Sequence, residues 1–120
     1  MEKLNKRAVG ARNEELACRY LMEQGVRILD RNFRCKIGEI DIIGIDQGTY
    51  VFFEVKYRRN NINGMPYEAV NYYKQKTISR VAYFYKSIKK LPDNGSFRFD
   101  IISILGDEIT WFKNAFQFIN

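Results

Sequence analysis

The sequence predicts one α/β domain with the order helix, three strands, helix, two strands. Three observations carry that expectation. An apolar stripe at helical spacing runs up to Gly25. Two runs rich in β-branched and aromatic residues, 38–45 and 50–57, flank a short polar turn. A second helical stripe follows Pro66 and gives way to two more strand-like runs.

Taken in order, Val9, Leu16, Ala17, Tyr20 and Leu21 fit one face of the first helix, and Gly25 suits its end. Residues 26–35 read as a strand, with Ile28 and Phe33 among its apolar positions, and Lys36-Ile37-Gly38 as a turn. The two central strands meet at Asp46-Gln47-Gly48-Thr49, and Ile40, Ile42, Val51, Phe53 and Val55 are expected on one face. Residues 58–64 are polar and loop-like. Pro66 fits the first turn of a long helix, because its missing N–H has no helical partner there. Val70, Tyr73, Thr77, Val81, Tyr85 and Ile88 give that helix its stripe, and Pro92-Asp93-Asn94-Gly95 ends it. Residues 97–105 and 108–112 are the last strands, with Gly106-Asp107 as the turn between them.

A length of 120 residues suits a single domain over 1–120 with a real core. No apolar stretch approaches membrane-spanning length, and the charged amino terminus is not followed by a signal-type region. A soluble, cytoplasmic protein with no membrane partner is the expectation. The formal charge of +6 favours a polyanionic partner, and it equally suits a generically basic protein. Cys18 and Cys35 lack metal-type spacing and read as reduced, partly buried thiols. Histidine is absent, which removes Ser-His-Asp and Cys-His triads and nearly all zinc hydrolase sites. Hydrolysis by this chain would have to use carboxylates, lysine and an oxygen-loving metal.

The central hairpin supplies those groups. In a simple register Asp41 lies opposite Glu54 and Glu39 opposite Lys56, all four on one side of the sheet. Two facing carboxylates repel. Mg²⁺ or Mn²⁺ between Asp41 and Glu54 would turn that repulsion into a phosphodiester-cleaving site, with Lys56 orienting water or neutralising the attacked phosphate. The competing reading is a solvated hairpin face with a Glu39–Lys56 ion pair. It leaves Asp41 opposite Glu54 unexplained. Glu14 shares an edge of the first helix's apolar stripe and could join the acids; taken alone it is a boundary residue, and Glu15 is plain surface. Arg58 and Arg59, just beyond Lys56, are candidate phosphate contacts. In Tyr72-Tyr73-Lys74-Gln75-Lys76 the tyrosines are expected to pack, while Lys74, Gln75 and Lys76 stay open as nucleic-acid contacts. Arg98 and Asp100 share a strand face and can pair with each other.

These residues resemble a known family. Glu14-x-x-Ala17, Gly38-Glu39-Ile40-Asp41, Phe53-Glu54-Val55-Lys56 and Arg98-Phe99-Asp100, in this order, resemble the YraN-type proteins. That family is assigned to the restriction-endonuclease-like, PD-(D/E)xK superfamily and is similar to Holliday-junction resolvases. The resemblance runs from about residue 6 to residue 112, and its paired acidic motifs are its specific part. It implies a mixed sheet flanked by helices, and a metal-binding nuclease core of Asp41 and Glu54. It further implies that Lys56 is the catalytic lysine, Glu14 the helix-borne acid and Gln75 the polar residue of the following helix. The chain departs from the family pattern at Asn13, where a glycine is usual.

The combined expectation is a Mg²⁺- or Mn²⁺-dependent endonuclease acting on DNA, branched or junction DNA included. Glu39 serves as an outer acid or as the lysine's partner. A homodimer would suit cutting two strands in concert. The alternative from another class is a non-catalytic DNA-binding or adaptor module that keeps the nuclease fold.

Overall fold

The computed structural model describes residues 5–120, so the first four residues of the charged amino terminus lie outside it. Asn5 caps α1 (Lys6–Glu23), its side-chain oxygen accepting from the Arg7 N–H at 2.8 Å. Then come β1 (Arg27–Arg34), β2 (Glu39–Asp46), β3 (Thr49–Arg58), a 3₁₀ turn (Pro66–Ala69), α2 (Tyr72–Ile88), β4 (Phe97–Leu105) and β5 (Glu108–Phe116). The five strands form one sheet in chain order. Only β3 and β4 run parallel, and α2 lies in the crossover between them. The sheet is therefore mixed, with the predicted order of elements.

Each helix covers its own face. On one side Ala17, Cys18 and Leu21 of α1 pack with Ile42, Val51 and Phe53. On the other, Ile78, Val81 and Tyr85 of α2 pack with Ile43, Phe52 and Phe99. The Tyr85 hydroxyl also donates to Asp30 at 2.6 Å, tying α2 to β1. Cys18 is buried and Cys35 partly so, both as free thiols. No helix among the described residues is long and apolar enough to cross a membrane.

Several local expectations are corrected. Leu16 is exposed, and Asn13 takes an inward place on α1 because its amide donates to the Val9 carbonyl at 2.9 Å. Pro66 opens only the 3₁₀ turn. The long helix starts afresh at Tyr72, where the Asn71 side chain accepts from the Lys74 N–H at 3.0 Å. Tyr73 and Ile88 are exposed, so the buried stripe of α2 is Ile78, Val81, Ala82 and Tyr85. The last strand extends to Phe116.

The hairpin turn is as expected. Gln47 and Gly48 both have positive φ, 48° and 84°, which makes a two-residue turn matched to the sheet's twist. It sets the register Asp46↔Thr49 to Ile42↔Phe53. Ile40 and Ile42 nevertheless face opposite layers, Ile40 toward α2 and Ile42 toward α1. The neighbouring strand turns over in the same place. Asn32 has φ 52°, so Arg31 meets Glu15 of α1 while Phe33 meets Tyr85 of α2. Arg31 pairs with Ile42 and Phe33 with Ile40, and Asp41 lies at this change of face.

Gly44 marks where the chain leaving α1 presses on β2. A Cβ there would stand 2.8 Å from the Arg27 carbonyl oxygen and 2.9 Å from Val26. Gly44→Ala should cost about 1–3 kcal/mol, as overpacking against backbone does. Urea unfolding would read this as a lower midpoint at unchanged slope, and an unchanged midpoint would refute it.

Candidate active site

Beyond Ile42↔Phe53 the β2–β3 ladder stops, and the two strands part around Asp41. The expected cross-strand rungs Asp41–Glu54 and Glu39–Lys56 are thus not formed as backbone pairs. Instead the Asp41 side chain replaces the missing backbone acceptor: its Oδ2 accepts from the Val55 N–H at 2.8 Å. This holds the carboxylate in the fork between the strands with its other oxygen free of that bond. Asp41 is 8% exposed and Glu54 4%.

Glu54 points toward α2. Its Oε1 lies 3.6 Å from the Lys56 ammonium and 3.6 Å from that of Lys74. Its Oε2 is buried with no hydrogen-bond partner. Burial, with the Asp41 charge as the next cause, pushes the Glu54 carboxyl up to about 8. Glu14 reaches Asp41 from α1. Burial first, and then the Asp41 charge, raise its proton affinity, while Asn32 acts the other way. The left-handed residue of β1 thereby also bears on the acids. Asparagine tolerates that conformation, and its place inside a strand-like run is the one sequence signal that could have singled it out.

Asp41, Glu54, Glu14, Lys56 and Lys74 thus gather where the sheet opens, with the acids reaching it from both layers. Glu39 takes a different partner from the one expected. It pairs with Arg34 of β1 at 2.9 Å, since the fork carries it away from Lys56. With Glu14 and Arg7 it lines a polar cleft of about 490 Å³ between α1 and the β1–β2 edge. Glu15 is engaged by Arg31 at 2.8 Å, in keeping with a surface position.

The other predicted contacts are more dispersed. Arg58 donates to the Asn63 carbonyl at 2.7 Å and so pins the 59–65 loop, whereas Arg59 is exposed. Gln75 donates to the Val70 carbonyl at 3.0 Å, joining the 3₁₀ turn to α2. Lys76 is half-buried on the same helix. Tyr72 and Tyr73 do not pack inward, because they open α2 ahead of its buried stripe.

A metal ion would have to use few protein ligands. Among the described residues no group of three carboxylate or thiol side chains is close enough to form a cage. Mg²⁺ keeps most of its water and commonly takes only one or two carboxylates. The orphaned Glu54 oxygen beside Asp41 fits that requirement, with Glu14 in the surroundings.

The Arg98-Phe99-Asp100 motif pairs with β3 beside Glu54, Asp100 opposite Phe53, but its side chains do structural work. Asp100 is 0% exposed and accepts from Arg98 Nε at 3.0 Å, Trp111 Nε1 at 2.8 Å and the Asn114 N–H at 2.8 Å. Arg98 also reaches Asp46 at 2.6 Å, and this hydrogen bond holds the Asp46 carboxyl below its ordinary value.

Residues 13–104 match the family described as "Uncharacterised protein family UPF0102". The chain belongs to that family. A UPF0102 protein of Lachnoclostridium phytofermentans is 45% identical over 114 residues, covering 95% of this chain and 97% of the relative. One from Aliivibrio fischeri is 44% identical over 117 residues, with 95% of each chain covered. The YraN-type resemblance therefore holds for this UPF0102 chain over most of its length. Among solved structures, a repair endonuclease from Pyrococcus abyssi aligns with a TM-score of 0.40 at 18% identity. The match covers 84% of this chain, which spans 39% of that endonuclease.

Proposed function

We propose that this UPF0102 protein is a metal-dependent DNA endonuclease of the restriction-endonuclease-like kind, with its active site at the β2–β3 fork. One observation above all supports this reading. Glu54 is a buried acid with an orphaned oxygen, set against a second buried acid and flanked by two ammonium groups. Both ammonium groups reach Oε1, which leaves the buried Oε2 for a further partner, because an unsatisfied buried polar atom is costly.

Asp41 and Glu54 would hold Mg²⁺ or Mn²⁺, and Glu14 completes the acidic surroundings. The ion would supply charge neutralisation at the phosphate and a more acidic water. Lys56 orients the attacking water and offsets negative charge growing on the phosphate oxygens. Lys74 brings a second positive charge to the same carboxylate. In the hydrolysis, the water gives up a proton to solvent as its oxygen bonds to phosphorus, the bond from phosphorus to one sugar oxygen breaks, and that oxygen takes a proton from solvent. Val55 keeps Asp41 in place through its backbone N–H, so the acid does not have to be ordered when DNA arrives. Arg58, Arg59 and Lys76 offer positive charge for the DNA backbone. Branched or junction DNA is the substrate form we favour, cut by a homodimer in a soluble, cytoplasmic setting.

The test is cleavage of matched duplex, flapped and four-way branched DNA in Mg²⁺ and Mn²⁺. Asp41→Ala and Glu54→Ala should each lose at least about a hundredfold in cutting rate and still bind DNA. Cutting that survives both changes rejects the site. Wild-type binding without cutting of any substrate would favour the adaptor reading.

A further inference from the structure

We infer that Tyr72 and Tyr73 form a stacking platform for the unpaired bases of single-stranded DNA at the edge of the active site. Tyr73 is 80% exposed and Tyr72 57%, and their rings meet edge to face with centroids 6.1 Å apart. Neither ring packs into the α2 layer, whose buried stripe begins at Ile78. Two adjacent bulky aromatics held in solvent call for a partner with flat apolar faces.

Their position says which partner. They open α2, and the next residue is Lys74, whose ammonium is 3.6 Å from Glu54. Lys76 follows on the same turn. Aromatic faces interleaved with ammonium groups match a strand of nucleic acid, where flat bases alternate with phosphates. In duplex DNA the base faces are covered by their neighbours, so exposed tyrosine rings have little to stack on. An unpaired strand offers every face. The chain's net charge of +6 supports the same partner. The inference rests on the nuclease reading for the strand's path past Glu54, and it narrows the substrate to DNA with unpaired nucleotides beside the cut.

Binding can be measured apart from cutting. The full chain is titrated into fluorescein-labelled oligothymidine with Ca²⁺ in place of Mg²⁺, followed by anisotropy, beside a duplex of equal length. Tyr73→Ala should weaken single-strand binding about 5- to 150-fold and leave duplex binding within twofold. Tyr73→Phe should keep wild-type affinity, because stacking needs the ring and not the hydroxyl. Both side chains are solvent-facing, so neither substitution should disturb folding. The inference is overturned if wild type ignores the single strand, if Tyr73→Ala binds it normally, or if single-strand and duplex affinities fall together. It is also overturned if Tyr73→Ala abolishes a concentration-dependent dimer in sedimentation and leaves DNA binding unchanged. Single-strand affinity that depends on Tyr73 in a protein that cuts nothing would retain the platform and reject the nuclease. Cutting of duplex with no single-strand affinity would do the reverse.

Discussion

Asp100→Ala is expected to remove about 3–5 kcal/mol of stability, the scale found when one partner of a buried ion pair is deleted. Domains of this size are held by about 5–15 kcal/mol in all, so the variant should stand close to unfolding. The cause lies in how much one carboxylate satisfies. Besides the Arg98 guanidinium it accepts the Trp111 indole N–H and the Asn114 N–H. Between Phe99↔Phe116 and Ile101↔Phe112, β5 has three residues where β4 has only Asp100. Asn114, at φ 52°, lies in that bulge, and the carboxylate replaces the ladder bond lost there. Alanine would leave the Trp111 and Asn114 N–H groups without that acceptor and the Arg98 guanidinium with Asp46 alone. Urea unfolding followed by Trp111 fluorescence should show the midpoint falling at constant slope. Arg98→Ala combined with Asp100→Ala should cost less than the two single changes added, by about 0.5–3 kcal/mol, because the second removes a charge the first has stranded. A single-variant loss below about 1 kcal/mol would contradict this account.

Sequence pattern reached the layout further than the details. Alternation and turn chemistry set Ile42 against Phe53, and the register holds because Gln47-Gly48 forms a tight two-residue turn with no bulge beside it. The same arithmetic then overshot by one rung. It continued the ladder through Asp41, where the side chain takes the place of a backbone carbonyl and the strands separate. Periodicity has no term for a side chain that competes with the backbone. The change of face at Asn32 was hidden for a related reason: a left-handed residue inside a strand reverses the alternation after it, and asparagine permits this without requiring it. Ile40 and Ile42 were therefore given the same face. The two acids were still correctly brought to one locus, since the motifs at residues 38–41 and 53–56 flank the same turn. The Glu54–Lys74 contact was out of reach, for it depends on how α2 lies across the sheet. Helical spacing puts Tyr73 in the stripe, and an amphipathic helix of this composition would pack both tyrosines. The register of the helix, set by the Asn71 cap, puts them outside.

Glu54→Gln is expected to make the metal-free protein at least as stable as wild type at pH 8, and to erase its stabilisation by Mg²⁺ or Mn²⁺. The sign follows from proton linkage. The Glu54 carboxyl rises from an ordinary 4.5 to about 8 in the folded protein, so the folded state binds the proton more tightly than the unfolded one. The stability that this proton confers is complete below pH about 4.5 and is lost as pH rises through about 8. Metal-free wild type should therefore weaken across that window, and glutamine, which has no charge to bury, should not share that loss. A divalent cation restores what ionisation removes. At a concentration about 100 times its dissociation constant it adds about 2.7 kcal/mol, on the order of 10 °C in thermal midpoint. Near pH 5 the gain should be smaller, because the ion must first displace the proton. Thermal scans at both pH values, with and without metal, decide the matter without any cleavage assay. Equal metal shifts in wild type and Glu54→Gln would place the ion elsewhere, and no shift in wild type would remove the metal from the fork.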